Sequence, residues 1–262
     1  MNTAELLVRC LENEGVEYIF GVPGEENLQV LQALKHSSIQ FVTTRHEQGA
    51  AFMADVYGRL TGKAGVCLST LGPGATNLIT GVADANLDRA PLVAITGQVG
   101  TDRMHIESHQ YLDLVAMFAP VTQWNTQIVR PSNTAEIVRK AFKLAQTGNP
   151  GAVHIDLPEN IADMEAVGKP LGCDLTRADG SEHNGKTSAA IETIQTAAAA
   201  ISQAERPLIL IGNGAIRARA SDALIKMVNE LQIPATNTFM GKGGIPYQHP
   251  LALWTVGLQQ RD

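Results

Sequence analysis

The sequence predicts an α/β protein whose sheet is mainly parallel and covered by helices on both faces. Three observations predict it. Short β-branched or apolar runs alternate with helical periodicities, and the links between them are short. Pro91–Gly97 (PLVAITG) is also continuously apolar, as a strand buried on both faces must be. With 262 residues, 44% hydrophobic and 18% charged, the chain can bury one large core or two modest ones.

Residues 3–14 read as an amphipathic helix, with Leu6, Leu7, Cys10 and Leu11 on one side and Gly15 ending it. Glu17–Gly21 is a short strand that delivers the turn Val22-Pro23-Gly24. Asn27–Leu34 is helical, Ile39–Thr43 is a β-branched strand, and His46–Leu60 is a helix with small residues on one face. Gly65–Ser69 is a strand broken by Gly72-Pro73-Gly74, and Thr76–Ala85 is the next helix. After the strand Pro91–Gly97, residues 101–113 form a loop rich in His, Asp and Gln. Val121–Trp124 and Gln127–Val129 are extended, Thr134–Ala145 is helical, and Ala152–Asp156 is a buried strand.

Residues 163–188 carry Gly, Asp, Lys, Ser and His with little periodicity and read as a linker. A second α/β pattern follows: helix Ile191–Glu205, strand Leu208–Gly212, helix Ser221–Leu231, strand Ile233–Thr236 and an apolar tail. The 74 residues from 189 onward hold two such strands, fewer than a doubly wound domain normally needs, so a longer parent polypeptide is expected.

A formal net charge of −6 makes the chain a poor general polyanion binder, and no basic patch interleaved with aromatics suggests nucleic acid. Cys10, Cys67 and Cys173 are odd in number and far apart, which points to reduced thiols in a cytosolic protein rather than a disulfide framework or CxxC metal site. Glu5, Arg9 and Glu12 interrupt the N-terminal apolar pattern, so no signal peptide is read, and no stretch is apolar enough to span a bilayer.

Glu47 stands where a strand has ended and a helix begins, the edge at which parallel sheets bind ligands. A carboxylate there also suits the helix dipole, so an N-terminal cap is an equal reading. Gly72-Pro73-Gly74-Ala75-Thr76-Asn77 lacks both G-x-G-x-x-G and the Gly-Lys-Ser/Thr of a phosphate loop, and its spacing alone reads as a tight strand–helix turn. His105, His109 and Asp113 fall four apart and could suggest a metal, but solvated loop residues explain them as well, and no metal ligand is assigned. Gln110 in that loop is a candidate neutral hydrogen-bonding group. Asp84 and Asp88, followed by Arg89, read as a structural ion-pair network.

Three long runs in order carry a resemblance: Arg45 to Arg59 (RHEQGAAFMADVYGR), Gly72 to Leu78 (GPGATNL) and Pro91 to Gln98 (PLVAITGQ). Together they resemble thiamine-diphosphate-dependent enzymes, above all the acetolactate synthase large subunit. The resemblance implies a parallel-sheet pyrimidine-binding domain over 1–165, a linker over 166–188, and the start of an incomplete Rossmann-like central α/β domain over 189–262. It implies that Glu47 is the glutamate bonded to the cofactor's aminopyrimidine ring, whose protonation makes the exocyclic nitrogen basic enough to take the thiazolium proton. Val22, Pro23 and Gly24 match the loop near the pyrimidine, and Gly74 and Asn77 match the turn packed beside the cofactor. Gln110 matches the glutamine on the substrate side, preceded here by His109 where the biosynthetic branch has an aromatic residue.

The implied reaction joins two pyruvates to 2-acetolactate with loss of CO2; a 2-keto acid decarboxylase or oxidase shares the layout, and so does a cofactor-binding module paired with a separate C-terminal chain. The implied cofactors are thiamine diphosphate and Mg2+, with FAD left open. The family holds Mg2+ through Gly-Asp-Gly followed by Asn, which this chain lacks; Ala178-Asp179-Gly180 has no Asn at the required distance. The resemblance thus implies a metal and diphosphate site in a missing C-terminal domain, a parent at least dimeric, and a fragment inactive alone.

Overall fold

The structure, a computed structural model, describes residues 1–172 and 189–257. The chain divides into two compact units, Met1–Asn184 and Gly185–Asp262.

The first unit is built on six parallel strands: β1 (Tyr18–Gly21), β2 (Gln40–Thr43), β3 (Gly65–Ser69), β4 (Leu92–Gln98), β5 (Trp124–Gln127) and β6 (Ala152–Pro158). Their spatial order is β2-β1-β3-β4-β6-β5. Succession therefore runs outward from β1 to β2, then reverses across β3. The neighbours β1 and β3 form a topological switch point, where the loops leaving the carboxyl ends of the strands part to opposite faces and open a crevice.

Period-two alternation divides the sheet into two unlike faces. Val66, Leu68, Val93, Ile95, Val153 and Ile155 point into one core, closed by α1 (Thr3–Asn13), α2 (Leu28–Leu34) and α6 (Thr134–Gln146). The capping box of Asn2 and Glu5 starts α1, and Gly15 follows its end with φ 76°. On the other face Cys67, Ala94 and Ala152 meet α3 (Glu47–Thr61), α4 (Gly72–Leu87) and α5 (Leu114–Phe118). Small residues at Ala50, Ala51 and Ala54 of α3 and Ala75 and Ala85 of α4 are buried in this second core. Burial holds the Cys10 thiol up at about 11 and the Cys67 thiol at about 12, so both remain protonated at neutral pH.

The anticipated ion-pair network exists with a different centre. Arg59 of α3, not Arg89, donates 2.8 Å bonds to Asp55, Asp84 and Asp88, tying α3 to α4. Burial raises the pKa of Asp55, and the Arg59 guanidinium opposes it.

Several boundaries differ from expectation. Gly72-Pro73-Gly74 is not a turn before a helix but the first turn of α4, because Pro at N1/N2 loses no helical bond. Helix α5 follows the expected loop 101–113 in a stretch to which the sequence assigns no element: its five residues are too few for a period, and its start is set by Asp113, whose Oδ1 accepts from Ala116 N at 2.9 Å. The two extended pieces at 121–129 are one strand, β5, between 3-10 turns. Residues 164–172, expected within the linker, lie against α1: Ala166 N donates to the Met1 carbonyl and Asn13 Nδ2 to the Leu171 carbonyl. A short helix α7 (Glu159–Asp163) precedes them. Cys173, His183 and Ala178-Asp179-Gly180 fall outside the described residues.

Among its described residues the second unit has three parallel strands rather than two: β7 (Ile209–Ile211), β8 (Ala235–Asn237) and β9 (Ala252–Thr255), in that spatial order. β9 lies in the apolar tail, to which the sequence assigns no element. Helices α8 (Ile191–Gln203), α9 (Asn213–Arg217) and α10 (Ser221–Leu231) complete it, and Ile211, Val228, Ala235 and Ile245 form its small core.

Removing the Arg59 side chain leaves Asp55, only 2% exposed, without its partner. Arg59→Ala should cost about 1–3 kcal/mol of stability, less than a fully buried pair because the guanidinium keeps solvent access. Urea unfolding compared with Arg89→Ala, which should change little, checks this.

Candidate functional site

Four loops leave the carboxyl ends of β1, β2, β3 and β4, and their residues meet around the first turn of α4. The β1 loop is Val22-Pro23-Gly24. Buried Asn27 holds it in shape: Asn27 Oδ1 accepts from Gly24 N at 2.9 Å, and Asn27 Nδ2 donates to the Val22 carbonyl at 3.2 Å. Gly24 packs against the side chain of Thr70, just beyond β3, and the Thr70 hydroxyl donates to Glu26. Pro23 is exposed and Val22 half-buried.

After β2 the backbone enters α3 at Glu47. The N-cap is His46, whose Nδ1 accepts from Gln48 N at 3.2 Å. Glu47 stands in the first turn of α3, and its carboxylate does not supply the cap hydrogen bond of its own helix. It reaches to α4, where Oε2 accepts from Asn77 Nδ2 at 2.9 Å. A Cβ added to Gly74 would stand 3.3 Å from Glu47 Oε1 and 2.9 Å from Thr70 Cγ2. The absent side chain at 74 therefore leaves the room in which the carboxylate lies. Glu47 Oε1 accepts no hydrogen bond among the described residues, so one oxygen of a half-buried carboxylate is available to a ligand.

The loop after β4 brings Gln110 to the same turn. Gln110 has φ 55° and Gly72 has φ 52°, and a Cβ on Gly72 would stand 2.7 Å from the Gln110 carbonyl oxygen. Gln110 is exposed. His105, His109 and Asp113 are not gathered: His105 Nδ1 meets the Tyr111 hydroxyl at 3.3 Å, and Asp113 caps α5. Among the described residues no group of three or more His, Cys, Asp and Glu could hold a metal ion.

The structure therefore brings Val22, Pro23, Gly24, Glu47, Gly74, Asn77 and Gln110 to one end of the sheet, the carboxyl ends of the strands at its switch point, where a parallel sheet has its crevice. Sequence reasoning missed what stands beneath it. On the sheet face toward α4 and α5 a buried polar column runs through Thr96, Gln98, His154 and Asp156. The Thr96 hydroxyl lies 2.7 Å from Asp156 Oδ1 and 2.8 Å from His154 Nε2, and Gln127 Nε2 donates to Asp156 Oδ2 at 2.7 Å. Phe118 of α5 stacks on the His154 ring with centroids 3.9 Å apart. Threonine, histidine and carboxylate in contact suggest nucleophilic chemistry, but the hydroxyl sits between the other two and all three are fully buried. The signal that could have found the column is polar residues at i, i+2 spacing at the ends of two apolar strands.

Residues 1–117 match the family described as thiamine pyrophosphate enzyme, N-terminal TPP binding domain, and residues 194–262 match thiamine pyrophosphate enzyme, central domain. A probable acetolactate synthase large subunit of Methanococcus aeolicus is 44% identical over 98% of this chain and 43% of its own length. Its namesake in Methanocaldococcus jannaschii is 44% identical over 98% of this chain and 44% of its own. Acetolactate synthase isozyme 1 large subunit of Escherichia coli is 36% identical over 97% and 44%. The chain spans less than half the length of these relatives. No helix among the described residues is long and apolar enough to cross a membrane.

The buried column makes a pH signature. Burial pushes the Asp156 carboxyl up to about 6 against its Gln127, Thr96 and Gln98 donors, and desolvation drives His154 down to about 3. An acid with a raised folded-state pKa holds its proton in the folded chain first, so between about 4 and 6 Asp156 makes stability fall as pH rises. His154 acts oppositely: between about 3 and 6.5 the unfolded chain binds the proton that the folded one excludes, so stability rises with pH. Relative to wild type, Asp156→Asn should steepen the loss of stability on acidification and His154→Gln should relieve it, each by up to about 1.4 kcal/mol per pH unit. Urea unfolding between pH 4 and 6.5 reads both signs.

Proposed function

Starting from a chain built of the N-terminal and central domains of thiamine pyrophosphate (thiamine diphosphate) enzymes, we propose that it supplies the pyrimidine-binding half of an acetolactate synthase site. The proposed reaction joins two pyruvates to 2-acetolactate and CO2. The observation that carries the reading is the Glu47 carboxylate, oriented by Asn77 over the open space at Gly74, with one oxygen unengaged at the sheet's switch point.

The residues present fit part of the cofactor. A carboxylate with a free acceptor suits the N–H of a protonated pyrimidine ring, and the cradle at Gly74 suits a flat ring lying against the first turn of α4. Held there, thiamine diphosphate would supply a nucleophilic thiazolium carbon and a sink for the electron pair released as CO2 leaves a 2-keto acid. Glu47 would share a proton with the ring nitrogen at its free oxygen, and Asn77, which bonds the other oxygen, would keep the carboxylate aimed. Val22 to Gly24 forms a second wall, fixed from below by Asn27. Gln110, exposed at the mouth, offers a neutral amide to the substrate's carbonyl or carboxylate oxygens.

The fit does not extend to the diphosphate. Among the described residues no cluster of hard ligands would hold Mg2+, so in this reading the metal and diphosphate belong to another part of the polypeptide. A second subunit carrying that part would complete the assembly. Met53, Val56 and Leu60, spaced along α3 and exposed, offer an apolar stripe to such a partner.

Isothermal titration of this chain with thiamine diphosphate and Mg2+ should give weak binding, with a Kd of about 1 mM or above, and no acetolactate. Tight binding with turnover would overturn the half-site reading. Glu47→Gln should leave stability within about 0.5 kcal/mol of wild type. At saturating thiamine diphosphate it should slow exchange of the thiazolium C2 proton by about 10²-fold or more, read by proton NMR.

A further inference from the structure

Gln98 is the last residue of β4, 1% exposed, at the end of the buried polar column. Its amide faces two ways. Oε1 accepts from Val99 N at 3.1 Å, which fixes the side chain to its own backbone. Nε2 donates to the Leu112 carbonyl at 3.0 Å, across the whole length of the loop that begins at Val99. The amide also lies beside the Asp156 carboxyl, whose charged form it favours. Asp156 is held in turn by Thr96 of β4 and Gln127 of β5.

Leu112 stands two residues beyond Gln110, and Gln110 adopts a left-handed backbone conformation with φ 55°. Such a conformation costs a non-glycine residue free energy and persists only where its surroundings enforce it. The contact with Gly72 enforces it from one side. At the other end of the loop, Gly100 N donates to Glu159 Oε1, Thr101 N to Asn160 Oδ1, and Arg103 pairs with Glu159. Residues 105–107 and 109–110 are exposed, and the bond of His105 with Tyr111 stays within the loop. Met104 and Tyr111 of the loop pack on the core of this sheet face, and Gln98 is the buried side chain that adds a hydrogen bond from the sheet to the Gln110 end of the loop.

We propose that Gln98 is a positioning residue: it pins the loop end at Leu112 to the sheet and thereby holds Gln110 against Gly72 at the mouth of the crevice. The functional meaning of that position rests on the reading of Gln110 as the substrate-facing amide. The pinning itself does not.

The test is amide hydrogen exchange of the unliganded chain. Gln98→Met keeps an unbranched side chain of similar volume and removes the donor. Exchange of residues 104–112 should rise about tenfold or more, while β1, β4 and β6 keep their wild-type protection. Gln98→Asn retains the amide but is one methylene shorter, and should show the same loop-confined rise; it serves if Gln98→Met does not fold. Unchanged loop exchange in a folded variant overturns the proposal. A rise spread equally over loop and strands also overturns it, since that marks a merely structural residue. Because no ligand is present, either failure leaves the thiamine diphosphate reading intact. Tight binding with turnover by the chain alone, or wild-type C2 exchange in Glu47→Gln, counts against that reading and leaves the pinning intact.

Discussion

Everything at the crevice depends on how closely three neighbours approach the first turn of α4. Gly72 admits the Gln110 backbone, Gly74 admits the Glu47 carboxylate, and Thr70, just ahead of both, carries the β1 loop on its side chain. These contacts come from different strand ends, and only the parallel order β2-β1-β3-β4 brings those ends side by side. A helix begun by a residue with a large side chain at 72 or 74 would push the loops apart. The sheet would survive and the crevice would not, because the strands pair through backbone bonds that do not involve this turn.

The two faces of the sheet divide the work of folding and of support. The face toward α1, α2 and α6 is wholly aliphatic along β3, β4 and β6, and carries much of the burial that stabilises the unit. The opposite face gives up part of that gain to Thr96, Gln98, His154 and Asp156. Buried polar groups are tolerable only when bonded; Thr96, His154 and Asp156 bond one another across β4 and β6, and Gln127 of β5 joins them at Asp156. The arrangement constrains the β4 loop at the cost of keeping a carboxyl and an imidazole away from water. His154 Nδ1, buried without a partner, is the one polar atom of that column left unsatisfied.

Much of the first unit was legible in the sequence because its strands are apolar runs bounded by glycine, proline or polar residues. β3 and α10 fall at the expected positions, and most other elements lie within a few residues of them. What escaped did so for physical reasons. The first turn of α4 reads as a break because glycine and proline are weak helix formers, yet at a helix start neither loses a bond. α5 is too short to show a period, and β9 too short and irregular in register to show alternation. At the site, the approach of Glu47 to Asn77 joins residues 30 apart and belongs to the packing of α3 on α4, which spacing cannot express. The motifs that carry the family resemblance mark those residues without saying what lies between them. The buried column was invisible because each member, taken alone, is an ordinary polar residue in an apolar strand.

The seam between α3 and α4 also bears on mechanics. A Cβ on Gly81 would fall 2.6 Å from the Cβ of Ala51, and Arg59 clasps the far ends of the same two helices. Helices in contact at such short range, with an ionic clamp at one end, have little freedom to slide. Glu47 and Asn77 ride on this pair, so the carboxylate sits on the stiff part of the unit. Gln110 rides on a loop exposed over residues 105–107 and 109–110, held to the unit by Gln98 at Leu112 and by the packing of Met104 and Tyr111 rather than by helix-on-helix contact. A ligand arriving at the crevice therefore meets a fixed jaw and an adjustable one, and any accommodation to differences in its shape falls to the second.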